Sequence, residues 1–200
     1  MKRLFVMTKK LYIIAGHNGA GKTTFLKEFI KNKNLKYIEV DEIARGIAID
    51  KFSLLSIRAG KIALRHIEKF KKEKMSFAVE TTLSGKTWKK IIKDFKKSDY
   101  YVTIFFIYLD TPEEALKRIA VRINKKGHYI SEDVVYRRYF RSIKNFWLTY
   151  KNLSQRWFLI NNSSDTPFLV AHGEGKDYKL IDKDNFEKFL SIVKRRKGEK

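Results

Sequence analysis

Lys22 and Thr23 close the segment Gly16-His17-Asn18-Gly19-Ala20-Gly21-Lys22-Thr23, which fits the G-x-x-x-x-G-K-[ST] pattern of a phosphate-binding loop. The residue types explain the chemistry. Glycines let the backbone curl until successive N–H groups face phosphate oxygens. A helix starting where the loop ends adds the partial positive charge of its N-terminus. A lysine in this place reaches the β- and γ-phosphates, and the threonine hydroxyl is a ligand for Mg2+. ATP is therefore expected on Gly16, His17, Asn18, Gly19, Ala20, Gly21, Lys22, Thr23 and Thr24, with Thr23 also on the metal. The flanks agree: the apolar run 11–15 leads in as a buried strand would, and a helical pattern over 23–31 leads out.

More chemistry-bearing residues fall at the ends of strand patterns. Asp41 ends the run Tyr37-Ile38-Glu39-Val40, Glu80, Thr81 and Thr82 end Phe77-Ala78-Val79, and Asp110 ends the strong strand pattern at 100–109. In a doubly wound sheet these ends open on the side of the phosphate loop, where ligands bind. A carboxylate facing a γ-phosphate can take the proton of an attacking hydroxyl, so Asp41 is the candidate general base. It also suits the N-cap of a helix beginning near Glu42, and both roles can hold at once. Glu80 could orient a metal-bound water or grip a substrate hydroxyl; the alternative is a solvated strand-end charge. Asp110 belongs to the turn before the helix start Thr111-Pro112-Glu113-Glu114 and is left out of the site.

Arginines supply the third group. Arg118 and Arg122 are four apart on one helical face, and Arg137, Arg138 and Arg141 cluster on the next helix. Between them runs Asn124-Lys125-Lys126-Gly127-His128-Tyr129-Ile130, so 118–141 reads as a basic helix–loop–helix lid. Such lids bring forked guanidinium groups onto a transferring phosphoryl and exclude water. A solvated basic face is the plainer alternative. His128 has no neighbours spaced for a metal site.

The elements that must position these groups alternate along the whole chain. Helical patterns cover 53–74, with Leu54, Leu55, Ile57, Ile62, Leu64 and Ile67 toward the core, then 86–95, 111–124, and 131–150 behind a Ser131-Glu132-Asp133 cap. A fifth strand follows at 156–160, then a hairpin of 168–171 and 178–181 around Gly173-Glu174-Gly175, and a last helix. Phe146, Trp147, Tyr150 and Trp157 read as packing aromatics. Strands separated by helices predict an α/β, three-layer P-loop fold: one domain over 1–200, a mainly parallel sheet with helices on both faces, a helical lid and a C-terminal β-hairpin.

Composition narrows the classes. Forty-four Lys and Arg against 22 Asp and Glu give a net charge of +22. The lysines are spread over nearly every helix, which favours solvated helix faces over a nucleic-acid surface, though the field would draw in any polyanionic substrate. Without cysteine there is no disulfide and no thiolate metal site. No apolar run approaches the ~20 residues that span a bilayer, and the N-terminal apolar stretch is too short for a signal peptide. A cytoplasmic protein without membrane contact is expected.

Together, residues 14–24, Val40-Asp41-Glu42-Ile43-Ala44, Phe77-Ala78-Val79-Glu80-Thr81-Thr82-Leu83-Ser84-Gly85, the stretch 118–141 with Arg137-Arg138-Tyr139, Asn162-Ser163 and 173–181 resemble the zeta-toxin family of small P-loop kinases, especially its short stand-alone members. The resemblance implies a kinase using ATP and Mg2+. Toxins of the family phosphorylate a sugar hydroxyl of UDP-N-acetylglucosamine. Their base matches Asp41, their sugar-nucleotide contacts match Glu80 and Thr82, and their lid arginines match Arg118 with Arg137 or Arg138. A cognate antitoxin is a further implied partner. Two positions depart from the pattern: His17 stands where many members have proline, and Ser84 where the toxins tend to have a basic residue. Three functions follow for testing: a kinase of a nucleotide-sugar or other small acceptor, a nucleic-acid-directed P-loop enzyme or binder, and a plain ATPase.

Overall fold

The computed structural model describes residues 8–31, 33–39, 52–124 and 130–195. Among these, seven strands form one sheet: β1 (Lys10–Ala15), β2 (Lys36–Glu39), β3 (Phe77–Thr81), β4 (Tyr101–Tyr108), β5 (Arg156–Asn161), β6 (Phe168–Glu174) and β7 (Asp177–Leu180). Their order is β2-β3-β1-β4-β5-β6-β7. The first five in that order run parallel, and β6 and β7 add an antiparallel hairpin at one edge. β1 is therefore central, flanked by β3 and β4, and the loop that follows it lies between their carboxyl ends.

Six helices are described: α1 (Lys22–Ile30), α2 (Phe52–Lys72), α3 (Thr87–Lys96), α4 (Pro112–Asn124), α5 (Glu132–Asn145) and α6 (Lys183–Lys194). Strand periodicity sorts the core into layers. Leu11, Ile13 and Ala15 of β1 join Val79, Ile104 and Phe106 on one face, under Ile67 of α2, Ile92 and Phe95 of α3, Ile143 of α5 and Phe189 of α6. Ile14, Ala78 and Ile107 face the other way, under Leu26 of α1. A smaller cluster of Leu109, Ala115, Ile119 and Val135 joins α4 to α5 beside the end of β4.

Three details differ from the sequence expectation. Leu64 is 38% exposed, while Ala63 and Ile67 are buried, so the apolar stripe of α2 is narrower than its composition suggests. Ser131 holds the N-cap position of α5 without a side-chain cap bond; its carbonyl accepts from the N–H groups of Val134 and Val135 instead. Thr111 does cap, its Oγ1 accepting from the N–H of Glu114 at 3.2 Å. The helical run expected to reach Tyr150 stays α-helical only to Asn145 and then widens into a π turn, Phe146–Tyr150. One wide turn absorbs the phase of an extra residue and keeps both Phe146 and Tyr150 buried.

After that turn, Lys151 is 7% exposed and lies over three rings. Its Nζ is 4.4 Å from the centre of Trp147 and 5.6 Å from those of Trp157 and Tyr178. Burial lowers its pKa, and the ring faces and Asn152 Oδ1, at 3.2 Å, take the place of water.

Candidate active site

Between β1 and α1 the chain makes a loop that only glycine permits at its ends. Gly16 has φ +147°, and a Cβ there would lie 2.0 Å from the carbonyl oxygen of Ile107 in β4. Gly21 has φ +91°, with Asn162 Nδ2 2.4 Å from where its Cβ would be. Lys22, the first residue of α1, is 5% exposed; its Nζ donates to the carbonyl of His17 at 3.0 Å and lies 3.6 Å from Glu80 Oε1. Thr23 Oγ1 donates to Glu80 Oε2 at 2.7 Å. Glu80, near the carboxyl end of β3, thus touches both functional side chains of the loop.

A hollow of about 140 Å3 opens over these groups. Lys22, Thr23 and Thr24 form its floor, Glu80 one wall, and Arg118 and Arg122 of α4 another. Arg118 is held by a 2.6 Å bond from Nη2 to the carbonyl of Asn162. Arg138 of α5 reaches the loop differently, Nη1 donating to Asn18 Oδ1 at 3.2 Å. Arg137 and Arg141 are exposed and line no part of the hollow. The structure therefore brings Arg118, Arg122 and Arg138 to the loop and leaves Arg137 facing outward. Thr82 lies one residue beyond β3, its Oγ1 2.9 Å from Ser84 Oγ, outside the lining of the hollow. Asp41, His128 and the rest of 125–129, where the sequence predicts the tip of a lid, lie outside the described residues.

His17, expected in the ATP-binding loop, turns its ring into the protein, where it is fully buried. Nε2 accepts from the N–H of Leu109 at 3.0 Å, so Nδ1 carries the proton and donates to the carbonyl of Asn18 at 2.8 Å. The ring packs 4.6 Å from that of Tyr139, whose hydroxyl is shared between the carbonyls of Leu109 and Asp110. Burial, with the nearby charges of Lys22 and Arg118, pushes the His17 pKa down from 6.5 to about 3. Because the folded chain resists a proton that the unfolded chain accepts, stability is complete above pH 6.5 and falls as pH drops toward 3. The slope from this one group approaches about 1.4 kcal/mol per pH unit. Denaturant titrations from pH 7 to 3 should show a His17→Gln variant losing less stability over that window than the wild-type chain. Equal slopes would remove His17 as the cause.

Sequence reading took Asn162-Ser163 as part of the family resemblance but gave the turn after β5 no role in the site. Asn162 Nδ2 donates to the carbonyl of Ala20 at 2.8 Å while its own carbonyl holds Arg118, so one residue ties the loop to α4. Asn161 Nδ2 donates to Asp110 Oδ1 at 2.7 Å, and Ser163 Oγ accepts from the N–H of Asp110 at 2.8 Å. Asp110 is thus a tie between β4 and this turn. The turn's signal in the sequence is the run of six polar residues, 161–166, that closes an apolar strand.

A central parallel strand, a glycine loop whose carbonyl holds its lysine, a neighbouring-strand carboxylate on its threonine, and arginines beside them define the P-loop kinase fold. The chain belongs to the zeta toxin family, whose model matches residues 5–155. A relative from Haemophilus influenzae, described as an uncharacterized protein, is 35% identical over 138 residues, covering 69% of this chain and 98% of the relative. Among solved structures, the AvrRxo1-ORF1:-ORF2 complex with ATP contains a chain with TM-score 0.69 at 15% identity, over 96% of this chain and 66% of that one. This chain therefore spans just under two thirds of that neighbour. A chain of the PezAT toxin–antitoxin system of Streptococcus pneumoniae has TM-score 0.63 at 15% identity, over 94% and 89%. Identities this low speak for a shared fold. No helix among the described residues is long and apolar enough to cross a membrane.

Proposed function

We propose that this protein is a phosphotransferase that moves the γ-phosphoryl of ATP to a hydroxyl of a small acceptor, with nucleotide-sugars such as UDP-N-acetylglucosamine the first class to test. The observation that carries this reading is the convergence of Lys22, Thr23, Glu80, Arg118 and Arg122 on one hollow above the loop. In this scheme the loop amides and Lys22 hold the β- and γ-phosphates. Arg118 and Arg122 meet the charge that spreads over the transferred group, and Arg138 closes from α5. Asp41 takes the acceptor proton, and Thr82 helps hold the acceptor. ATP in the related AvrRxo1-ORF1:-ORF2 complex supports the choice of donor.

The donor set suits magnesium. Among the described residues no three His, Cys, Asp or Glu side chains gather into a metal cage. Mg2+, however, is usually held by one or two protein oxygens, waters and substrate phosphates, and Thr23 Oγ1 beside the Glu80 carboxylate offers that kind of site. When bound there, the ion would neutralise charge on the β- and γ-oxygens. Family membership and the toxin–antitoxin neighbour also support a protein antitoxin as a partner and the cytoplasm as the place of action.

The test is to incubate the protein with Mg-ATP and UDP-N-acetylglucosamine and follow the sugar-nucleotide by mass spectrometry. A product heavier by one phosphoryl group is expected. ADP release without any phosphorylated acceptor would replace this reading with a plain ATPase. Label transferred to a 5′-hydroxyl of RNA or DNA instead would replace it with a polynucleotide kinase.

A further inference from the structure

Leu83 has φ +51°, a left-handed backbone that a bulky side chain seldom adopts, and it is 1% exposed. It stands in the turn that leaves β3 two residues after Thr81. Such a conformation persists only where its surroundings over-determine it. Four contacts do so here. The Leu83 side chain is locked in the main core, and its N–H donates to Thr81 Oγ1 at 3.3 Å. Its carbonyl accepts from Asn145 Nδ2 at 2.9 Å. Two residues on, the carbonyl of Gly85 accepts from the Tyr150 hydroxyl. The product of this clamp is a pair of hydroxyls, Thr82 and Ser84, fixed 2.9 Å apart, with the N–H of Ser84 also directed at Thr82 Oγ1.

Asn145 ends α5, and Tyr150 ends the π turn that follows it. The wide turn ends at the residue whose hydroxyl meets Gly85. The same helix, seven residues earlier, carries Arg138 against the phosphate loop. Two helical turns, roughly 10 Å along the axis, therefore separate the contact with the donor's cradle from the contact with the Thr82 turn. One rigid element sets the spacing between the two.

We propose that Asn145, assisted by Tyr150, is a positioning residue for acceptor recognition: its amide holds the Leu83 turn in the left-handed form that presents the Thr82–Ser84 hydroxyl pair. The proposal deepens the kinase reading and rests on it for the identity of the acceptor and for the acceptor's place at the Thr82 turn. The class of ligand follows from the chemistry displayed. The pair shares one proton between its oxygens, which leaves one O–H to donate and lone pairs to accept, a set that suits the hydroxyls of a neutral sugar or polyol face.

The test uses the full chain with Asn145→Asp, which keeps the shape but cannot donate to the Leu83 carbonyl, and Tyr150→Phe, which keeps the ring and removes the hydroxyl. ATP affinity is read by calorimetry, and transfer is read with UDP-N-acetylglucosamine as the probe acceptor. Expected is a rise in acceptor KM of roughly 10- to 100-fold in Asn145→Asp with ATP affinity unchanged, and a smaller rise in Tyr150→Phe. An unchanged acceptor KM, or a parallel loss of ATP affinity as from general loosening, overturns the proposal. If Asn145→Asp does not fold, Tyr150→Phe decides by the same split. If the wild-type chain ignores the probe, the proposed acceptor falls, and a crystal structure of the folded variant judges the turn. Leu83 still left-handed in that crystal overturns the inference; Leu83 released upholds the clamp on the turn.

Discussion

Lys22→Ala is expected to cut phosphoryl transfer by roughly 10²–10³-fold or more, the scale of losing one preorganised charge at a developing anion. The reason is visible before any ligand arrives. Lys22 is already buried, held by the carbonyl of His17 and adjacent to Glu80, so its ammonium is in place at the floor of the hollow. Alanine removes the cation and leaves Glu80 bonded to Thr23 alone, which makes the pocket more negative where phosphates must enter. ATP affinity should therefore weaken along with turnover. Circular dichroism should show the chain folded, because the core beneath α1 depends on Leu26 and not on Lys22. A folded variant with wild-type transfer would refute the phosphate-loop assignment.

Asp41→Asn should separate binding from chemistry. The amide keeps the size and polarity of the side chain but cannot accept a proton. If Asp41 is the base, turnover falls by roughly 10²–10⁴-fold while calorimetry finds ATP bound as before. The end of the described β2 supports the expectation. β2 runs parallel to β3 with Glu39 opposite Glu80, so the chain leaves β2 at the end of the sheet where Glu80 meets the loop. Unchanged turnover would reduce Asp41 to a helix cap.

What the sequence discloses and what it hides divide along physical lines. Loop, strand order of chemistry and hairpin are local matters: glycine spacing, alternation and turn residues act over a few positions, and they are legible. The inward turn of His17 is not, because a histidine in a phosphate loop has the same spacing whether its ring faces ligand or core. Only the buried N–H of Leu109, far along the chain, decides it. Arg137 and Arg138 are neighbours and share every sequence argument; the packing of Tyr139 under His17 fixes the helix so that Arg138 meets Asn18. Asn162 and Asn145 act through carbonyls of distant loops, Ala20 and Leu83, and no periodicity marks such pairs. The π turn is likewise silent in the pattern, since the apolar residues around it suit either helix.

The lysine seated among Trp147, Trp157 and Tyr178 gives the molecule an optical handle. Two of the chain's three tryptophans meet at that junction, with rings 5.9 Å apart, where the hairpin of β6 and β7 docks beside the π turn. Ultraviolet emission from the indoles will therefore follow the seating of that hairpin. Those two rings monitor one edge of the sheet, and Trp88 of α3, packed against the main core, adds its own emission.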